Sequence, residues 1–311
     1  MKRIIIGGLP RCGTTLLANL LNAQDGCTFV TAYLDAFEQL ADTLRVRFDE
    51  RLRTSQRKAA LLKAREQMLV LRHPFLATPD DFQTLDGLHR LALADIAAPG
   101  DVVVGHKARL DPTRVERLLT TTDIHVVIML RDPRDAAVSW WYRTGSAIEP
   151  YVEEWKRMVR YAWRSAHERV YILRFEDLVC APENALRKLL DDVGLRFRVP
   201  PALTALRDAR EGTGVWLPNT AHADVTRVLD PAATRRWRDA VTSPVVRYAG
   251  WACRAELQGL GYDPMKQAPP AELAAFAAAQ LSHRIAERLR RLTHACASAV
   301  ERWGPRIEPT D

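Results

Sequence analysis

The opening of the chain constrains the fold more than any other stretch. Ile4-Ile5-Ile6 is a short β-branched run that ends on Gly7-Gly8, and residues 14–23 then carry Leu16, Leu17, Leu20 and Leu21 at helical spacing. An apolar strand that closes on glycines and passes directly into a helix is the pattern of a strand buried on both faces, as in a parallel sheet. The rest of the chain repeats the alternation. Strands are expected at 27–31, 101–105, 124–130 and 170–173, and helices at 112–121, from 133 past 141, and at 182–193. Residues 34–71 are charged, helical in period and poor in breakers. The expected fold is a three-layer α/β/α sandwich around a central parallel sheet. Ligands of such sheets sit at the carboxyl ends of the strands, so 9–15, 31–35, 106–109 and 131–135 are expected to form one rim.

Charge and cysteine content narrow the function classes. The 311 residues carry a formal net charge of +7. That balance suits a polyanionic partner, whether nucleic acid, anionic lipid or a nucleotide with several phosphates, and it also follows from an Arg- and Ala-rich coding bias. No zinc-finger or RNP pattern supports nucleic acid. The five cysteines are scattered and contain no C-x-x-C pair, so neither a zinc site nor a disulfide framework is indicated, and a reducing, cytoplasmic setting is expected. The apolar run at 4–6 is too short for a signal peptide, and no stretch approaches the 18 or so apolar residues of a membrane span.

Gly8-Leu9-Pro10-Arg11-Cys12-Gly13-Thr14-Thr15 has the spacing of the nucleotide-binding P-loop, G-x-x-x-x-G-K-[ST], with Thr14 in place of the lysine. Glycines let the backbone approach an anion, and consecutive N–H groups at a helix N-terminus form an anion nest. Arg11 supplies the positive charge from inside the loop, and Thr14 and Thr15 supply hydroxyls. A conventional NTPase or small-molecule kinase needs the lysine and an acidic residue for Mg²⁺. Here the strongest strand ends in Arg131. The site reads as one that holds an anion without a metal. The fold class is accordingly P-loop NTPase-like.

Leu9-Pro10-Arg11-Cys12-Gly13-Thr14-Thr15-Leu16 resembles the 5′-phosphosulfate loop of sulfotransferases that use 3′-phosphoadenosine-5′-phosphosulfate (PAPS), in the P-R-S-G-T-T-L version of bacterial, carbohydrate and tyrosylprotein enzymes, with Cys12 replacing the usual Ser. Arg131-Asp132-Pro133-Arg134-Asp135-Ala136-Ala137-Val138-Ser139 resembles the same family's 3′-phosphate motif, R-D-P-R-D-x-x-x-S. The resemblance implies that Arg11, Cys12, Gly13, Thr14 and Thr15 hold the 5′ side of PAPS, that Arg131 and Ser139 hold the 3′-phosphate, and that PAP is the product. Arg174-Phe175-Glu176-Asp177-Leu178 looks like a third, structural signature. The Gly- and Asn-bearing loop 212–219 and Trp237 look like the late segment that covers the nucleotide, with Trp216 as the residue to stack on adenine or to fill the core.

Transfer also needs a cation at the sulfuryl group and a base for the acceptor. Lys107 matches the family's strand-end lysine, although Ala108 and Arg109 depart from its G-x-K-x-P context. For the base, Asp35 ranks first, then His106, then Glu38. The acceptor is expected to be a small molecule or carbohydrate, contacted by the variable segment 33–100 and the region of Trp140, Trp141, Tyr142, Trp155 and Trp163. Residues 1–265 are expected to form the sulfotransferase-like domain, with 33–100 as a helical insertion on the acceptor side. Residues 266–311 are expected to add a basic helical extension, which reads as an arm for homo-oligomers, a membrane-surface helix or a plain packing helix. A binding protein that holds PAP without chemistry is the alternative to an enzyme.

Overall fold

The computed structural model describes residues 1–33, 35–71, 73–196, 234–240 and 242–263. Five strands form one sheet: β1 (Lys2–Gly8), β2 (Cys27–Tyr33), β3 (Val103–Lys107), β4 (His125–Leu130) and β5 (Val170–Arg174). Their order is β2-β3-β1-β4-β5, and every pairing is parallel. Ile4, Ile5 and Ile6 in β1 and Val126, Val127 and Ile128 in β4 have no exposed surface, as a sheet covered on both faces requires. Truncating any one of them to Ala is expected to cost about 2–5 kcal/mol.

Helices flank the sheet. α1 (Thr14–Asn22) follows β1. α2 (Ala36–Leu44), α3 (Thr54–Val70) and α4 (Leu85–Ile96) lie between β2 and β3. α5 (Pro112–Thr121) precedes β4, and α6 (Pro133–Thr144) and α7 (Glu149–Arg164) follow it. α8 (Phe175–Cys180) and α9 (Pro182–Val193) follow β5, and α10 (Pro244–Ala252) and α11 (Arg254–Gly259) end the described chain. The three-layer P-loop-like architecture expected from the alternation is present. Local chemistry sets the helix starts. Asp111 and Asp132 each cap a helix that begins on proline, by accepting the backbone N–H of Arg114 and Arg134. Among the described residues no helix is long and apolar enough to cross a membrane.

Two local expectations are corrected. The helical period across 34–71 is interrupted: Arg45 is left-handed at φ 53°, and the chain turns there so that Val46 and Phe48 are buried, which a continuous helix would not allow. The third strand spans Val103–Lys107, later than 101–105, because Gly105 does not end it. Gly105 sits mid-strand where a Cβ would collide with the Ile4 carbonyl and the Phe29 ring, so the glycine marks close packing and not a stop. Trp216 and the extension 266–311 lie outside the described residues.

The topology places the site. β1 sends its connection toward β2, and its neighbour β4 sends its own toward β5. Diverging connections open a crevice at the carboxyl ends of those two strands.

Candidate functional site

The loop after β1 is shaped by three residues at positive φ: Gly8 (120°), Arg11 (74°) and Gly13 (91°). A Cβ on Gly8 would lie 2.5 Å from the Met129 carbonyl oxygen, and one on Gly13 would lie 2.5 Å from Cδ2 of Phe175. The loop is thus pressed against β4 and α8, and only glycine fits at either end. Arg11 holds a backbone conformation that costs a non-glycine residue on the order of 1–3 kcal/mol, a strain found where geometry serves a site. Gly13 caps α1 with no side chain, which leaves the first-turn N–H groups of α1 facing the loop.

Side chains from the other strand ends converge on it. Arg11 Nε donates to Ser139 Oγ at 2.8 Å, and the Arg11 carbonyl accepts from Arg131 Nη1 at 3.2 Å. The Arg131 guanidinium lies 4.3 Å over the Phe175 ring, and its Nη2 is 3.9 Å from Asp135. From the end of β3, Lys107 Nζ donates to Thr15 Oγ1 at 2.8 Å. Lys107 is buried, and burial lowers its pKa to about 8, against the pull of nearby Asp35 in the other direction. Arg11, Thr15, Lys107, Arg131 and Ser139 are therefore brought together, with Gly13 and Thr14 at the start of α1. Three cations and two hydroxyls around a loop of backbone donors are an arrangement chemically able to hold a multiply charged anion.

The second arginine of the Arg131–Ser139 segment serves another purpose. Arg134 is buried, bonded through Nε and Nη2 to Asp132 at 2.8 and 2.6 Å, and stacked 3.6 Å from the Trp237 ring. Asp135 accepts the backbone N–H groups of Arg235 and Trp237. These contacts fasten the late segment to α6.

Cys12 is fully buried, with Sγ 3.7 Å from the Tyr151 hydroxyl, and burial pushes its thiol up to about 11. It packs the underside of the loop as a neutral thiol. Tyr151 donates to the Pro10 carbonyl at 2.8 Å and so braces the loop from α7. Sequence reasoning missed Tyr151, and nothing local marks it. It also placed Phe175 and Glu176 in a structural signature without seeing their task. Phe175 supports both Gly13 and Arg131, and Glu176 accepts the Asp132 N–H at 2.9 Å and the Tyr262 hydroxyl at 2.8 Å.

The three candidate bases have different surroundings. Asp35 precedes α2, with its side chain 15% exposed; Oδ1 accepts the Arg109 N–H at 2.6 Å, and Oδ2 lies 3.6 Å from Arg109 Nε. Glu38 is buried, and neither carboxylate oxygen has a hydrogen-bond partner among the described residues. Burial first, and then the charge of Asp35, raise its pKa to about 8. His106 has no exposed surface and is held between His89 Nε2 at 2.8 Å and the Lys107 carbonyl at 3.1 Å. Burial lowers it to about 4, so it is a neutral interior ring. Neighbours on a strand point to opposite faces. Lys107 reaches the loop, whereas His106 points toward α4.

A cleft of about 560 Å³ opens beside the loop, between the segment 109–114 and the α6–α7 corner. Of the aromatic residues expected near the acceptor, Trp140 lines this cleft. Trp155 does not; it is core, and its Nε1 donates to the Arg131 carbonyl at 3.0 Å.

A family model described as the sulfotransferase family matches residues 3–198. Solved structures with a similar fold include the sulfotransferase domain of the olefin synthase of Synechococcus PCC 7002, at 16% identity and a TM-score of 0.56 over 85% of this chain and 95% of that one. The sulfotransferase domain from the curacin biosynthetic pathway matches at 14% identity and a TM-score of 0.52, over 85% of this chain and 99% of that one. No curated protein matches.

Proposed function

The chain belongs to the sulfotransferase family, and from that premise we propose that it moves the sulfuryl group of PAPS to a hydroxyl or amine of an acceptor and releases PAP, by in-line transfer without a metal. The observation that carries this reading is the convergence of Arg11, Lys107 and Arg131 with Thr15 and Ser139 around a P-loop that has no lysine of its own. Arg131 and Ser139 bind the 3′-phosphate, for which the planar guanidinium fork suits two oxygens at once. The N–H groups at the start of α1, with Gly13, Thr14 and Thr15, cradle the 5′-phosphate, while Cys12, expected to join them, has its N–H on the Leu9 carbonyl and its thiol buried beneath the loop. The whole catalytic unit falls within 1–265, with the helical segment 33–100 on the acceptor side.

In the transfer step the acceptor oxygen bonds to sulfur as the bond from sulfur to the 5′-phosphate oxygen breaks. Arg11 and Lys107 stabilise the charge that builds on the sulfuryl oxygens and the leaving phosphate. A fixed donor of this kind is worth about 10²–10³ in turnover. Asp35 takes the acceptor proton. It lies at the rim with part of its carboxylate exposed, whereas His106 and Glu38 are enclosed. The Arg109 N–H fixes the carboxylate's orientation.

The test is conversion of PAPS to PAP by the purified protein with a broad acceptor mixture and a chelator present. Metal-independent PAP formation is expected. ATP turnover that requires Mg²⁺, with none from PAPS, would replace this reading with a kinase.

A further inference from the structure

The cleft beside the loop has two unlike walls. On one side stands Trp140 from α6, backed by the buried Tyr151 ring of α7 at 5.5 Å between centroids and 21° from parallel, with Ser146 and the Glu154 carboxylate beside it. The other side carries Arg109, Asp111 and Arg114. Those charges are matched among themselves and with their neighbours. Arg114 donates to the Arg109 carbonyl at 3.0 Å and to Asp42 at 3.0 Å; Asp111 accepts the Arg114 N–H at 3.0 Å; Arg109 lies beside Asp35. The result is one indole face with a carboxylate at its edge, opposite a wall of paired, hydrogen-bonding charges, with Leu9 and Pro10 of the loop also lining the cleft.

This pattern discriminates among acceptor chemistries. A phenol or steroid would press an apolar face on the paired charges and strip their water without replacing its hydrogen bonds. An acceptor with a phosphate or carboxylate would meet carboxylates at each arginine. A pyranose ring suits both walls: its C–H face packs on an indole, and its hydroxyls both donate and accept, as a mixed Arg–Asp wall demands. The cleft volume lies within the ~300–1,000 Å³ of ordinary small-molecule sites. Resting on the donor reading above, we propose that the acceptor is a neutral saccharide, held with one ring on the Trp140 indole and one hydroxyl turned toward the loop and Asp35.

The test uses PAP-loaded full-length protein on an array of neutral, anionic and sulfated oligosaccharides. In parallel, saturation-transfer NMR is run with the neutral array hits, 2-naphthol and dodecanol. Binding of at least one neutral oligosaccharide is expected. Trp140→Ala should weaken it tenfold or more and Trp140→Phe should largely retain it, with PAP affinity unchanged in both variants. Binding confined to anionic glycans, or to 2-naphthol or dodecanol, would overturn the saccharide proposal, as would silence across the array from protein that binds PAP. Loss of PAP binding in the wild type would instead remove the donor reading, and this proposal with it.

Discussion

The crevice between β1 and β4 and the corner formed by the ends of β2 and β3 share one rim but are built differently. In the crevice, the polar side chains are each held by a neighbour: Arg11 by Ser139, Arg131 by the Arg11 carbonyl and the Phe175 ring, and Lys107 by Thr15. In the corner, the Asp35 carboxylate is held by the Arg109 backbone N–H and a more distant guanidinium, the Glu38 carboxylate oxygens have no hydrogen-bond partner among the described residues, and a cleft opens alongside Arg109 and Arg114. The difference teaches where pre-organisation is needed. A nucleotide with fixed phosphate positions rewards a rigid cage, because the cost of orienting the cations is met on folding. An acceptor presents one reacting group on a variable body, so its side of the site keeps space and partly committed charges.

Four substitutions or conditions test that contrast. The largest effect is expected from Arg11→Ala, which removes a cation from the cage. Turnover should fall by about three orders of magnitude, with weaker PAP binding, in steady-state assays and calorimetry. Near-normal turnover would break the claim that the cage acts on the transition state. Asp35→Asn should separate the two regions: turnover falls about 100-fold while PAP affinity stays within about twofold. Full activity in that variant would remove Asp35 as the base.

Glu38 probes the corner through stability. Its pKa is raised from the ordinary carboxyl range to about 8. The folded state therefore keeps a proton that the unfolded chain gives up, and stability falls as pH rises from about 4.5 toward about 8. Denaturant melts at about pH 5.5 and about pH 7 should differ by about 2 kcal/mol, and Glu38→Gln should abolish that part of the dependence. An unchanged pH profile in the variant would show that Glu38 is solvated. The smallest effect concerns Lys107, whose pKa is lowered to about 8. As pH rises through that value the amine loses its charge, so PAP affinity should drop by about tenfold over the next pH unit or so, and PAP binding near it should take up a proton. Calorimetry in buffers of different ionisation enthalpy reads that uptake, and Lys107→Arg should eliminate it.

The same contrast explains what was legible in the sequence. The crevice is written in two contiguous stretches, 8–15 and 131–139, because an anion nest needs glycines and cations at fixed spacing along one strand–loop–helix unit. The sheet was legible too, since strands buried on both faces are continuous apolar runs. The supports of the cage were not. Tyr151 meets Pro10 across 141 positions, and Phe175 meets Gly13 from the far end of β5, so only the packing of α7 and α8 reveals them. The acid corner was half legible. The family resemblance brought Asp35, Glu38 and His106 into consideration, but burial and strand direction separate the rim carboxylate from the enclosed one and from the interior histidine. The interruption at Arg45 follows from burying Val46 and Phe48, a tertiary demand that helical periodicity does not contain.

Calorimetric titration of PAP and of ATP, with and without Mg²⁺, into wild type and Arg131→Ala tests the donor site most directly. PAP should bind without metal, far more tightly than ATP, and Arg131→Ala should lose on the order of 10–100-fold in affinity. Undetectable PAP binding, or ATP binding that is preferred and requires Mg²⁺, would contradict a cage built for PAPS.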